Sequence, residues 1–344
     1  MPNVPVEHDA PRNARDPHVV VNPENPRERA IWEYVSLRPI RSLWDMKGVS
    51  VKVVAKRTWV STWNDDLFGW AAELGYWFLF ALFPTLVSAS AILGIAARHG
   101  SINYLKLLHY LGLVLPPSAF NMVLTNFVAL TQAANGKKIG LGLLAGIWAA
   151  SAGFSAIQDA MNVVYKVKET RPYWKVKGIS MIITPVLCLF VTGVFASLLA
   201  GDFLAVLAEH HIFHQGARAA LIAVRIVGWV VAWFLLMVMF AFIYYWSPNV
   251  KKRQWRTLTP GAALGTVGWL LASGGLRVYL HFFNTYSATY GSLGAVIILL
   301  TWFYITGLML LFGGEFNSEI EAAAAEKKLS EQGQIPAPVP AKAA

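Results

Sequence analysis

Five charged side chains interrupt otherwise apolar stretches of this sequence, and they are the first candidates for chemistry: Glu73, Asp159, Arg225, Arg277 and Glu315. A charge inside a long apolar run is costly in lipid and marks a functional site by default. The two arginines could line the outer half of a polar cavity and bind an anion there. The competing interpretation is that all five charges reach the membrane surfaces along their flexible side chains.

A short polar segment between two apolar runs adds a second group of candidates. It reads Tyr286-Ser-Ala-Thr-Tyr290-Gly-Ser292-Leu-Gly294. With Arg225 and Arg277, the side chains of Tyr286, Tyr290 and Ser292 form our predicted substrate-binding set.

Catalytic motifs give little support for an enzyme. The chain holds neither a P-loop nor a Gly-x-Ser-x-Gly elbow. The string His210-His211-x-x-His214 has helical zinc spacing, but it has no convincing acidic third ligand. Nuclease chemistry needs carboxylates or histidines gathered around a metal, and here they are scattered over separate segments. We therefore predict no catalytic residue, no metal site and no cofactor.

Composition favours a membrane protein. The 344 residues are 56% hydrophobic and only 14% charged, whereas soluble domains carry about 25% charged residues. The mean hydropathy is +0.47. Fourteen tryptophans and twelve tyrosines suit the lipid headgroup level. The net charge of +10 also raises the alternative of nucleic-acid binding.

The apolar runs predict an all-α integral membrane protein with six transmembrane helices. A helix needs about 20 apolar residues to cross about 30 Å of hydrocarbon. We place the membrane domain at 49–322, preceded by a tail with a short helix (1–48) and followed by a second tail (323–344). The predicted spans are 70–96, 139–160, 178–200, 219–246, 258–281 and 293–315.

An amphipathic helix is expected just before the first span. Val51, Ala55, Trp59 and Trp63 recur every four residues, with basic side chains beside them. This pattern is typical of a helix lying flat in the membrane interface. Packing of the same stripe against the bundle is the alternative.

Basic residues set the orientation of the spans. With both termini in the cytoplasm, 22 Lys and Arg fall on the inner side and 5 on the outer side. The positive-inside rule therefore favours cytoplasmic N and C termini. It also explains the net charge without nucleic acid, so we expect membrane lipids and no nucleic acid as partners.

This topology assigns a depth to each candidate. Glu73, Asp159, Asn162 and Glu315 fall at the inner membrane boundary. We expect the carboxylates there to meet Arg171, Lys175 or the basic residues at 251–253. The two arginines fall toward the outer side, and Asp202 and Glu209 are their nearest predicted partners.

Small residues spaced four apart predict close helix packing. Gly261 and Gly265 form one such pair, and Gly142 and Gly146 form another. Small side chains let helix backbones approach in lipid. A substrate groove is the less favoured interpretation.

Several strings, in this order and spacing, resemble the YihY/BrkB family of bacterial inner-membrane proteins. They are Phe83-Pro84, 148–165, Arg171-Pro172-Tyr173-Trp174, Pro248-Asn249, Thr259-Pro260-Gly261-Ala262, 286–294 and Gly313-Gly314-Glu315-Phe316-Asn317. The resemblance runs from about 50 to 322 and implies six spans with cytoplasmic ends in a bacterial inner membrane. It carries no catalytic residues, and its ribonuclease BN label is a misassignment.

Function is predicted as a transporter or envelope-maintenance factor for an anionic or amphipathic solute, such as a small molecule or a lipid-like compound. A non-transporting membrane scaffold is the main alternative, and a membrane-bound ribonuclease is a remote one. Deleting 1–45 and 330–344 should separate the first two, because a transporter should tolerate the loss of its tails. The sequence leaves the oligomeric state open.

Overall fold

The computed structural model describes residues 26–37, 43–44, 49–98, 120–121, 124–125, 136–211, 217–252, 254–282 and 292–335. Within these residues the chain forms eight helices of twelve residues or more and no strand. They are α1 (Pro26–Leu37), α2 (Val51–Asn64), α3 (Leu67–Arg98), α4 (Gly136–Val164), α5 (Tyr173–His211), α6 (Ala217–Trp246), α7 (Pro260–Phe282) and α8 (Ser292–Glu331). The all-α prediction is confirmed for this part of the chain.

Each of the six predicted spans coincides with one helix from α3 to α8. Within the described residues, three stretches are long and apolar enough to cross a membrane: Tyr173–Leu198, Ile222–Trp246 and Leu293–Glu331. The segment between α3 and α4, which we predicted as two surface helices or a re-entrant pair, falls almost entirely outside the described residues.

Helix α8 is the centre of the bundle. It has 40 residues, which corresponds to about 60 Å at 1.5 Å per residue, and it contacts α1, α2, α3, α4 and α7. Helices α3 and α4 form one further pair, and α5 and α6 form another. The polar C-terminal half of α8 meets α1 and α2 at one end of the bundle, which we call the terminal-helix end.

The outer surfaces of α6 and α7 are mostly apolar. Trp229 and Val230 on α6 are more than half exposed, and Leu271 on α7 is 72% exposed. Side chains of this kind avoid water, so these faces are suited to lipid.

Helix α2 turns its predicted aromatic stripe away from the bundle. Trp59 and Trp63 are exposed, whereas Val54, Thr58 and Thr62 form the buried face. The Thr58 and Thr62 hydroxyls donate to backbone carbonyls one turn earlier, at 3.0 and 2.8 Å, so the buried face carries no unmatched hydroxyl there. The stripe is therefore available to the membrane interface.

Helix α1 packs against α8, although we predicted it as part of a tail. Ile31 and Val35 are buried against Ala322, Ala325 and Leu329 of α8. The predicted end of the membrane domain at 322 falls inside a helix, because α8 continues to Glu331.

Candidate functional site

The terminal-helix end buries an unusual concentration of acidic side chains. Asp65, Glu315 and Glu319 are 6%, 0% and 5% exposed. We call these three side chains, together with Lys166, Arg57 and Ser61, the carboxylate cluster. Buried charges require partners or protonation, so the partners of each carboxyl decide what the cluster can do.

Two turns in left-handed backbone conformation bring part of the cluster together. Asp66, after α2, has φ 49°, and Lys166, after α4, has φ 51°. This conformation costs a non-glycine residue about 1–2 kcal/mol. The turns are held by backbone hydrogen bonds, including Asp65 N to Ser61 O at 2.9 Å and Val167 N to Asn162 O at 2.9 Å.

The Lys166 ammonium group forms an ion pair with the Asp65 carboxylate. Burial raises the pKa of Asp65, and the charge and hydrogen bond of Lys166 oppose that rise. The net effect is a raised pKa. This ion pair joins the α2–α3 turn to the α4–α5 loop.

Glu319 begins a chain of ion pairs that reaches α1. It accepts a hydrogen bond from Ser61 Oγ at 2.8 Å and lies 3.3 Å from Arg57 Nε. Arg57 also reaches Glu326 at 2.8 Å, and Arg27 reaches the other oxygen of Glu326 at 2.6 Å. Arg57 therefore faces the bundle and not the interfacial side of α2.

Glu315 differs from its neighbours. It is fully buried, and within the described residues neither carboxyl oxygen has a hydrogen-bond partner. Its own helix packs closely here, because a Cβ atom on Gly314 would lie 2.9 Å from the Met161 sulfur.

A second ion pair, Glu321 with Arg256, lies next to a small cavity. Tyr165, Tyr244 and Tyr245 contribute to its wall. The cavity volume is about 40 Å³, which is enough room for ordered water.

Asn162 closes the α4–α5 loop over the end of α6. Its Nδ2 donates to Glu169 Oε2 at 2.8 Å, and its Oδ1 accepts from the Asn249 backbone N–H at 2.7 Å. Burial raises the pKa of Glu169, but hydrogen bonds from Arg171 and Asn162 outweigh it and leave that pKa lowered. Asn162 therefore has a structural role that its sequence position alone did not indicate.

Replacing Asn162 with alanine should lower the unfolding free energy by about 1–3 kcal/mol, because it leaves the half-buried Asn249 N–H without its acceptor. Thermal unfolding in detergent would measure the loss. The exposed Asn64 at the end of α2 offers the matched alanine control. Equal melting temperatures for the two variants would contradict the role assigned to Asn162.

A polar ladder connects α4 and α5 inside the bundle. Ser155 Oγ lies 2.9 Å from Ser180 Oγ, and Ser180 Oγ lies 2.8 Å from Gln158 Oε1. Gln158 is fully buried, and its Nε2 has no partner among the described residues. The ladder gives this helix pair a hydrophilic interior seam.

The predicted outer arginines lie away from this polar end. Arg225 on α6 and Arg277 on α7 are both exposed. Tyr286 and Tyr290 lie outside the described residues, and Ser292 is the first residue of α8. Their substrate-binding role stays a prediction.

The predicted inner residues are only partly brought together. Glu315 and Asn162 both lie toward the terminal-helix end. Glu73 is half-buried on α3 and accepts a hydrogen bond from Trp77 Nε1 at 3.3 Å, and Asp159 is half-buried on α4. The basic neighbour of Glu315 and Asp65 is Lys166, not the loop residues that we expected.

Sequence reasoning missed Asp65, Lys166, Glu319 and Glu321 because all four lie outside the apolar runs. One signal was present: Glu315 and Glu319 are four residues apart and therefore share a helix face. The uncharged run of large apolar residues ends at Phe312. The acidic residues that follow it therefore resembled part of an exposed tail.

Metal chemistry has no geometric support in the part of the chain that the structure describes, where no group of three His, Cys, Asp or Glu side chains could hold a metal ion. The histidine loop is only partly within that part, since residues 212–216 fall outside it.

Comparison with known proteins gives consistent matches. The family model "Virulence factor BrkB" matches residues 58–336. The ribonuclease-like protein YfkH of Bacillus subtilis (strain 168) is 32% identical over 260 residues, covering 72% of this chain and 88% of YfkH. No solved structure matches.

More distant relatives are named only as membrane proteins. UPF0761 membrane protein Smlt0865 of Stenotrophomonas maltophilia (strain K279a) is 24% identical over 271 residues, covering 77% of this chain but 60% of the relative. A UPF0761 membrane protein of Tolumonas auensis is 25% identical over 264 residues, covering 76% of this chain and 83% of the relative. The predicted family resemblance is confirmed, and the chain belongs to the Virulence factor BrkB family of membrane proteins.

Proposed function

We propose that this protein is a six-span transporter of the bacterial inner membrane, with both termini in the cytoplasm, that moves an anionic or amphipathic solute. The observation that carries the proposal is Glu315, a fully buried carboxyl without a hydrogen-bond partner among the described residues. Ionisable groups inside membrane bundles are costly and mark ion or substrate pathways.

The surrounding polar groups support the same function. Gln158 on the α4–α5 ladder also has a buried polar atom without a partner in the described region. Buried polar atoms without partners do not stabilise a purely structural bundle, since each costs about 1–3 kcal/mol of folding free energy. Groups of this kind are useful when a solute or ion passes and binds them transiently.

The proposed topology follows from the basic loops. The terminal-helix end then faces the cytoplasm, and the exposed tryptophans of α2 lie at the inner membrane interface. The ribonuclease-like name belongs to YfkH, and the described residues give no catalytic cluster from which to derive that activity.

Transport can be tested with purified protein in phosphatidylethanolamine–phosphatidylglycerol vesicles. One arm measures uptake of radiolabelled organic acids, and a second measures movement of fluorescent phosphatidylglycerol between leaflets. We expect at least a tenfold faster rate than in protein-free vesicles in one arm. Rates equal to protein-free vesicles in both arms would contradict the proposal.

A terminal deletion separates transport from scaffolding, but its limits must follow the fold. Because α1 packs on α8, the predicted deletion of 1–45 would remove part of the bundle core. Deleting 1–25 and 336–344 spares α1 and α8. A transporter should keep its flux after this deletion, whereas a scaffold acting through its tails should lose its partners.

A further inference from the structure

The charges around Glu315 do not balance if every group is ionised. The carboxyls are Asp65, Glu315, Glu319, Glu321 and Glu326, and the cations that pair with them are Lys166, Arg57, Arg256 and Arg27. Among the described residues of this group, four cations face five carboxyls. The surplus negative charge falls on Glu315, since the other four acids each have an ion-pair partner.

Charged and titratable groups reach this region from the elements that pack on α8. Helix α2 contributes Arg57, the α2–α3 turn Asp65, the α4–α5 loop Lys166 with Tyr165, and α1 Arg27. Helices α3 and α4 present Leu74 and Met161 to the glycines of α8. The start of α7, Pro260 to Gly268, contains no charged residue.

The two polar groups that act on a Glu315 carboxylate are Ser61 and Lys166, but the Ser61 hydroxyl donates to Glu319 and Lys166 pairs with Asp65. A buried carboxylate that has no hydrogen bond of its own among the described residues is an unfavourable form of this group. Binding one proton removes the charge. Asp65 indicates the same environment, since burial raises its pKa even with Lys166 beside it.

We infer that Glu315 is a proton-binding site and that the exchange of its proton is coupled to transport. In the resting protein the Glu315 carboxyl holds the proton. On deprotonation the O–H bond breaks, the proton leaves to water at the terminal-helix end, and Glu315 keeps the electron pair as a carboxylate. The inference deepens the proposed transport function and rests on it for the coupling.

Lys166 provides the mechanical link. Its charge acts on both Asp65 and Glu315. A newly formed Glu315 carboxylate competes with Asp65 for this ammonium group, so the α4–α5 loop has two alternative ion pairs. Two discrete arrangements that a proton can bias are what a coupled transporter requires.

Infrared spectroscopy tests proton occupancy without any solute. At neutral pH we expect a protonated-carboxyl C=O band that shifts on deuteration, that is lost in Glu315→Gln and that remains in Glu319→Gln. If Glu315→Gln removes no such band, Glu315 is ionised and the inference is overturned.

Thermal unfolding adds a second measurement. Glutamine resembles a neutral glutamic acid, so Glu315→Gln should change the melting temperature by no more than about 2 °C at neutral pH. Glu319→Gln should lower it more, because it weakens the contact with Arg57. A loss in Glu315→Gln that equals or exceeds the loss in Glu319→Gln would overturn the inference.

Vesicle flux then tests coupling. An inward proton gradient should accelerate wild-type solute movement at least fivefold and have no effect on Glu315→Gln. Equal acceleration of both proteins would overturn coupling. If the infrared band is present without any flux, the proton site stands and the proposed transport function fails. If flux occurs without the infrared band, the proposed transport function stands and the proton site on Glu315 fails.

Discussion

Replacing Gly261 with alanine should strongly destabilise the protein and lower its folded yield. A Cβ atom there would overlap the Gly313 carbonyl oxygen and lie 2.6 Å from Asn317 Oδ1. The neighbouring backbone belongs to α8 and cannot rotate aside as a side chain would. Overpacking typically costs about 1–3 kcal/mol, and we expect the upper end of this range here because the obstacle is backbone. That loss is a substantial part of a typical folding free energy of about 5–15 kcal/mol.

The Gly261 site also carries hydrogen bonds that a helix displacement would break. Its N–H donates to Asn317 Oδ1 at 2.8 Å, and Asn317 Nδ2 donates to Thr259 at 3.0 Å. The predicted small-residue packing is therefore present between α7 and α8. It also uses Gly313, which the spacing pattern did not include.

Fluorescence-detected size-exclusion chromatography would measure folded yield for this variant. Gly275→Ala is the matched control, because it lies on the same helix and a Cβ atom there meets nothing within 4 Å. Equal folded yields for Gly261→Ala and Gly275→Ala would show that the α7–α8 contact is looser than described.

Replacing Lys166 with methionine should lower the unfolding free energy by about 3–5 kcal/mol at neutral pH, because it leaves Asp65 buried without its cation. The double variant Asp65→Asn/Lys166→Met should recover a large part of this loss. Lys168→Met, in the same loop but exposed, is the control. Chemical unfolding in detergent would compare the four proteins.

The pH dependence of Lys166→Met has a definite sign. The pKa of Asp65 is raised in the folded state, so the folded protein binds more protons than the unfolded chain between the two pKa values. Stability therefore falls as pH rises through that interval. Loss of Lys166 removes the effect that lowers the pKa of Asp65, so the interval should extend to higher pH. A variant equally destabilised at acidic and neutral pH would contradict this account.

Helix positions were predictable because length and apolarity are local properties. Five of the six predicted spans lie within a helix, and the sixth, 258–281, begins two residues before Pro260–Phe282. The run before Glu315 needed only its uncharged length to be recognised. The α2 stripe was also predictable, since Trp59 and Trp63 repeat at helical spacing. Packing in the bundle positions these helices but does not change the spacing of apolar residues along each of them.

The partners of Glu315 were not predictable, for a different reason. Lys166 reaches Asp65 only because two non-glycine residues adopt left-handed backbone, and no residue pattern marks those turns. Among the described residues, the cation that acts on Glu315 is Lys166, and not Arg171, Lys175 or Lys251. Helix α1 was read as part of a tail because its apolar residues are few. Its packing depends on Ala322 and Ala325, about 290 residues further along the chain.

The last helix also sets the order in which the molecule can be completed. Arg27 and Arg57 precede Glu326 by 299 and 269 residues, yet both pair with it. The ribosome makes α3 to α7 between these partners, so α1 and α2 can form their ion pairs with Glu326 only after α8 has been synthesised.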